Sequence, residues 1–442
     1  MNRRELLRNL AGVAGTVASS IALVRQQALA SEPVQNREHP LSKPALRHTA
    51  VFVPGYITRS ARANGLSVAR NATFMRNIEQ PDEPYRLLSR IGLDGDIRQT
   101  LLPAHAHDVT ISPDGTLGIL CGFENRGQVA FDARTLDLVA LEGPFAEGWR
   151  GGGHAEFVDD GRMVVLSERA PRRAAVAGQL EQQYGRITIR DAQTLKIRES
   201  YSTYGIDPHD IRIVENGRYL VAANYGSLPV DDTDKLTVPR SVAEACVTVI
   251  DMQSGALVEK WVTDRKDTET RHLASGGLDR IFAIQARLSD AHAETQVMGD
   301  HDVAYDLDIT SEHGMTYMPA ETLQLATAHS PRQMGTSSDQ ADMRHGLSIE
   351  YDPVFDQAIA TFPSSHFVFV FDGETGEVIT KFDTSRTGLR FPCGVTLLPD
   401  GEHYAITGYW ENMFVYERKT HRLVRDLCLY PTFFGHSHIT SA

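Results

Sequence analysis

His209-Asp-Ile-Arg-Ile-Val-Glu-Asn-Gly217 leads into Arg218-Tyr-Leu-Val-Ala-Ala-Asn224, and then come Cys246-Val-Thr-Val-Ile-Asp-Met252 and Ala256-Leu-Val-Glu-Lys-Trp-Val262. Each run is short and rich in β-branched residues. Glu215-Asn216-Gly217 and Gln253-Ser254-Gly255 have the chemistry of tight turns. Short apolar strands joined by such turns read as one four-stranded antiparallel meander.

The opening of this unit recurs along the chain. The copies are His107-DVTISPDG, His154-AEFVDDG, His209-DIRIVENG, His272-LASGGLD and His345-GLSIEYDP; Cys393-GVTLLPDG has cysteine in the histidine position, and His436-SHITSA ends the chain. A unit repeated at intervals of a few tens of residues is one supersecondary motif copied in space. Seven units follow, spanning about 48–102, 103–144, 148–205, 206–264, 268–328, 332–387 and 388–430. The first has no histidine strand of its own, and the C-terminal copy, 436–442, can supply it. Closing the ring in this way leaves no free sheet edge. The expected fold is all-β: a seven-bladed β-propeller of four-stranded antiparallel blades, its ring closed by the C-terminal strand. Long stretches at 169–184, 225–243 and 289–318 interrupt the blades; the last is read as an insertion reaching over one face.

In a propeller the first strand of each blade lines the central channel, so residues that open first strands meet at one mouth. Those residues are His107, His154, His209, His272, His345, Cys393 and His436, with His105 and His438 two positions from a ring member. Neutral imidazole suits copper, iron, zinc or nickel, and thiolate biases toward copper or zinc. The second strands run back to the same mouth and end on Glu124, Glu168, Asn224, Gln285, Ser364 and Glu411. Their polar groups suit a role orienting imidazoles by accepting the second ring N–H. A single histidine at such a place is most simply a satisfied structural residue; six at one repeat position point to a transition-metal site. The aspartates of SPDG, DPHD and LPDG are read as turn residues, and Tyr409-Trp410 as an aromatic pair at the rim or stacked on a ligand.

The four cysteines, Cys121, Cys246, Cys393 and Cys428, are widely spaced with no CxxC, which excludes a zinc knuckle and a c-type haem site. Formal net charge is −13, so nucleic acid and anionic membrane are not expected partners. No run after the leader approaches the ~18 apolar residues of a membrane span. Residues 1–30 read as a twin-arginine signal peptide: Arg3-Arg4, an apolar stretch from Leu10 to Val24, and Ala28-Leu29-Ala30 before Ser31. Residues 31–47 read as an extended arm and 48–442 as the propeller. The expected product is a folded, exported, periplasmic monomer.

Gly153-His154, Pro208-His209-Asp210 with Val221-Ala222-Ala223-Asn224, and Arg271-His272-Leu273 resemble an uncharacterised bacterial family, domain of unknown function 1513. The resemblance covers most of the mature chain and implies an exported, YVTN-type seven-bladed propeller. It also implies metal handling beside a periplasmic metal-uptake or redox partner. This chain departs from the pattern in its longer blades, in Cys393 and in the His-Ser-His tail. Three functions fit: a propeller binding copper or iron for acquisition, delivery or a redox step; a metal-free interaction scaffold; and a lactonase-type hydrolase. Histidine dominance disfavours the third, which needs hard oxygen ligands for calcium.

Overall fold

Seven four-stranded blades follow the meander order expected from the repeats, with blades 2 and 3 joined into one eight-stranded sheet where Phe123 and Glu124 pair with Gly152 and Gly151. A computed structural model describes residues 41, 43–55, 87–102, 106–124, 127–142, 148–171, 179–229, 240–265, 267–287, 320–408, 411–433 and 438–442. The inner strands of blades 2 to 7 are Ala106–Ile111, Arg150–Val158, Pro208–Val214, Thr268–Gly277, Ser348–Asp352 and Pro392–Leu397. Each lies against the inner strand of the next blade.

The C-terminal strand Thr440–Ser441 closes the circle. It pairs antiparallel with Ala50–Gly55, placing Ser441 opposite Val51 and Thr440 opposite Phe52. Ala50 and Ala442 exchange two backbone hydrogen bonds of 2.8 and 2.9 Å. Blade 1 is therefore built from the last strand of the chain inside and Ala50–Gly55, Leu87–Gly92 and Ile97–Leu101 outside it. The core lies between blades. Phe282, Ile349, Phe362, Phe369 and Phe371 pack together where blades 5 and 6 meet; Val165, Ile187, Ile211 and Leu220 do the same for blades 3 and 4.

A second repeat, at the turn from third to fourth strand, fixes the blade ends. Asp132, Asp191, Asp251 and Asp372 each accept backbone N–H groups two or three residues on, at 2.7–3.1 Å. Four residues after each aspartate the backbone turns left-handed, at Leu136, Leu195, Gly255 and Gly376. A short side-chain acceptor beside a left-handed residue makes this turn cheap.

Two boundaries differ from the sequence expectation. Arg332–Gln333 is the fourth strand of blade 5, not the start of blade 6, because it pairs with Leu323 and Gln324. Pro44–Arg47 is a single helical turn rather than extended arm, with Leu46 fully buried. The 289–318 insertion lies outside the described residues, between the second strand of blade 5, Arg280–Arg287, and the third, Ala320–Leu325.

Candidate metal centre

The inner strands do not start as regular ladders. In blade 2, Ala106 faces Gly122 but Asp108 faces Cys121, so His107 is an extra residue. Similar shifts occur at Gly151/Ala155, Pro208/Ile211, Thr270/His272 and Pro392/Val395. A regular strand sends successive side chains to opposite faces, and a bulge re-aims them. Here that brings both the histidine and the aspartate after it into the same cluster, as in His107-Asp108 and His209-Asp210.

Five imidazoles converge. His209 has ring centroids of His154, His107 and His272 at 4.6, 4.7 and 4.9 Å. His438 lies 4.7 Å from both His154 and His272 and 4.9 Å from His107. His107 Nε2 and His209 Nε2 are 3.1 Å apart. Ligating atoms of His107, His154, His209 and His438 all fall within 4.8 Å of one another, and His154, Asp210 and His272 form an overlapping group. The first set can hold a metal ion.

The opposite ring nitrogens show which atoms are offered. His209 Nδ1 lies 2.5 Å from the Gly152 carbonyl oxygen. Arg169 Nη2, which only donates, lies farther off at 3.2 Å; the shorter contact is to a carbonyl, which only accepts, so Nδ1 carries the proton and Nε2 keeps its lone pair. His154 Nδ1 lies 2.9 Å from Asp108 Oδ2 and 3.4 Å from Asp210 Oδ1, an electrostatic contact that is not aligned as a hydrogen bond, with Nε2 on the other side of the ring. Asp210 is itself fixed by the Leu273 N–H at 2.8 Å and Arg212 at 2.5 Å. His154 Nε2, His272 Nδ1 and His438 Nε2 are buried with no hydrogen-bond partner among the described residues. Each such group costs about 1–3 kcal/mol of desolvation.

Three of the rings, His209, His272 and His438, are held neutral. Burial, reinforced by His154 and Arg169, holds His209 well below the ordinary imidazole value. Burial and the neighbouring His438 and His209 do the same to His272. His438 falls to about 3, from burial and then His154. For Asp108, burial pushes upward, but the attraction of His154 outweighs this and holds the carboxylate ionised. Neutral imidazoles backed by an ionised carboxylate are the protonation state a metal requires.

The model of a family described as protein of unknown function, DUF1513, matches residues 100–429. The chain belongs to this family. No curated protein matches it. Among solved structures it is similar to the hydrazine synthase of Kuenenia stuttgartiensis, at 13% identity and TM-score 0.49, over 76% of this chain and 92% of that one.

In this DUF1513 protein the expected ligands divide. His107, His154, His209 and His272 come together. His436 lies outside the described residues, as do His105 and the Tyr409-Trp410 pair, and His438 brings the C-terminal copy into the cluster. His345 is buried in left-handed backbone (φ 55°) three residues before its strand and belongs to neither ligating group. Cys393 also belongs to neither; burial pushes its thiol well above the ordinary value, so it stays protonated.

Three of the expected orienting residues, Glu168, Asn224 and Gln285, have other partners. Glu168 accepts from Arg190 at 2.6 Å, and from Arg186 and Thr188 at 2.8 Å each. Asn224 bonds to Thr248, and Gln285 to Thr270. The side chains of Glu124 and Glu411 lie outside the described residues. The orienting groups are instead Asp108, Asp210 and the Gly152 carbonyl. The turn reading of DPHD is corrected accordingly: Asp210 serves the imidazoles, and Asp207 accepts from Arg150 at 2.8 Å. Asp114 and Asp400 are turn residues as expected. The sequence signal for Asp108 and Asp210 was the His-Asp pair itself, visible twice but hidden by the alternation of an ideal strand.

Proposed function

We propose that this protein is an exported, periplasmic metalloprotein that holds copper or iron among the imidazoles at one end of its channel, for acquisition, delivery or a redox step. The observation that carries this reading is the convergence of buried imidazoles, three of which, His154, His272 and His438, turn unpartnered nitrogens into the cluster. A metal ion with several open coordination positions would satisfy them together. Nitrogens 3.1 Å apart, each about 2.0–2.1 Å from one ion, subtend about 100° at it, which suits tetrahedral and tetragonal geometry alike. Copper heads the affinity order for nitrogen donors, and Asp210 beside His154 and His272 adds the carboxylate that iron sites use.

Elemental analysis of untagged protein recovered from the periplasm tests the reading. Near-stoichiometric copper or iron is the expected result. Protein that carries no transition metal, and takes up neither copper, iron nor zinc when offered them, overturns it.

A further inference from the structure

Below the histidines the channel wall changes character. Glu156 lies two residues past His154 on the inner strand of blade 3, Arg212 three past His209 on blade 4, and Glu350 on the inner strand of blade 6. At about 3.3 Å per strand residue, Glu156 sits about 7 Å further along the channel than His154. Arg212 joins the two levels, bonding Asp210 at 2.5 Å and lying 3.5 Å from Glu156. Glu350 and Asp108 add to the negative field around the same guanidinium.

Water access is greater at this level than among the histidines. The His154 side chain is 2% exposed, Asp108 15%, Arg212 24% and Glu156 30%. Glu156 and Glu350 lie on inner strands, which line the central channel, and the part-exposed Glu156 and Arg212 side chains touch water within it. The unpartnered His154, His272 and His438 nitrogens lie at its dry end.

We infer that the central channel, lined by Glu350, Glu156, Asp108 and Asp210, is the path by which a metal cation reaches the histidines from the opposite face of the propeller. This rests on the metal reading above. An excess of negative charge in a low-dielectric passage concentrates cations and raises their capture rate by about ten-fold or more. Arg212 limits the excess and holds Asp210 turned toward the imidazoles rather than the passing ion.

Copper(II) uptake by the metal-free full-length mature protein, followed by stopped flow, tests the path. The double variant Glu156→Gln, Glu350→Gln is expected to load about ten-fold more slowly and to reach the wild-type copper content. A double variant that loads at the wild-type rate overturns the path while leaving the metal site standing. Wild-type protein that takes up no copper, iron or zinc removes the site and the path together. Should the double variant not fold, Glu350→Gln alone decides, with about a three-fold slowing expected and no slowing overturning the path.

Discussion

His209 is fixed at both ends of its ring: Nδ1 by the Gly152 carbonyl, and Nε2 facing the His107 Nε2. The Gly152 position tolerates no side chain, since a Cβ there would sit 2.2 Å from Ser167 Oγ and 2.8 Å from the Pro208 carbonyl oxygen. Gly152→Ala is therefore expected to cost about 1–3 kcal/mol and to lower metal content, read by thermal melting and elemental analysis. The pair His154→Ala, His209→Ala should fold and lose the metal, because the apolar clusters that hold the blades together include neither ring. Cys393→Ala should keep it. Retention in the first variant or loss in the second contradicts the ligand set. Glu350 gives a pH signature. Its folded value, about 7, lies above the ordinary 4.5, so folding favours the protonated acid. Its stability contribution is full below about pH 4.5 and is lost as pH rises through 7. Glu350→Gln should thus stabilise at pH 8 by about 1–2 kcal/mol, after discounting for solvent, and change nothing at pH 4. A melting difference that is flat with pH rejects this.

At the level of strands and turns, much was legible. The recurring histidine strand marked six of the seven inner strands, and the Gly-containing turns marked the hairpins. Asp108 drew no reading and Asp210 was taken as a turn residue, because period-two alternation assigns neighbours to opposite faces and only paired strands reveal a bulge. The ends of second strands were polar for another reason: Glu168 neutralises Arg186 and Arg190 within its own sheet. The repeat Asp132-Ala-Arg-Thr-Leu136, Asp191-Ala-Gln-Thr-Leu195, Asp372-Gly-Glu-Thr-Gly376 was in the sequence and would have placed the third and fourth strands directly. The C-terminal strand is the element whose removal says most. Deleting Ile439–Ala442 takes away the pairing with Ala50–Phe52 and a nearly buried Ile439. The lost side chain alone is worth about 2–5 kcal/mol. The expected outcome is a large fall in melting temperature with aggregation through the opened edge; an unchanged melt would mean the ring does not depend on this strand.

Over the whole molecule, ring closure was readable because the first blade lacked a strand and the last segment had a spare. What the repeats could not reveal was which members of the ring are functional. The imidazoles gather on the side of blades 2 to 5 and the C-terminal strand, while blades 6 and 7 supply Glu350 and a protonated Cys393. Export is expected to follow from the leader: Arg3→Lys with Arg4→Lys should strand the precursor in the cytoplasm. Wild-type periplasmic protein should begin near Ser31 by mass spectrometry, and a periplasmic product from the double variant would contradict the twin-arginine reading. The closing strand has one further consequence, in time rather than space. Ala50 and Ala442 pair across 392 residues of sequence, and contacts of such separation are slow to form. His438 is carried by the same segment, so the five-ring cluster is expected to assemble only as the ring closes, later in folding than any hairpin of a single blade.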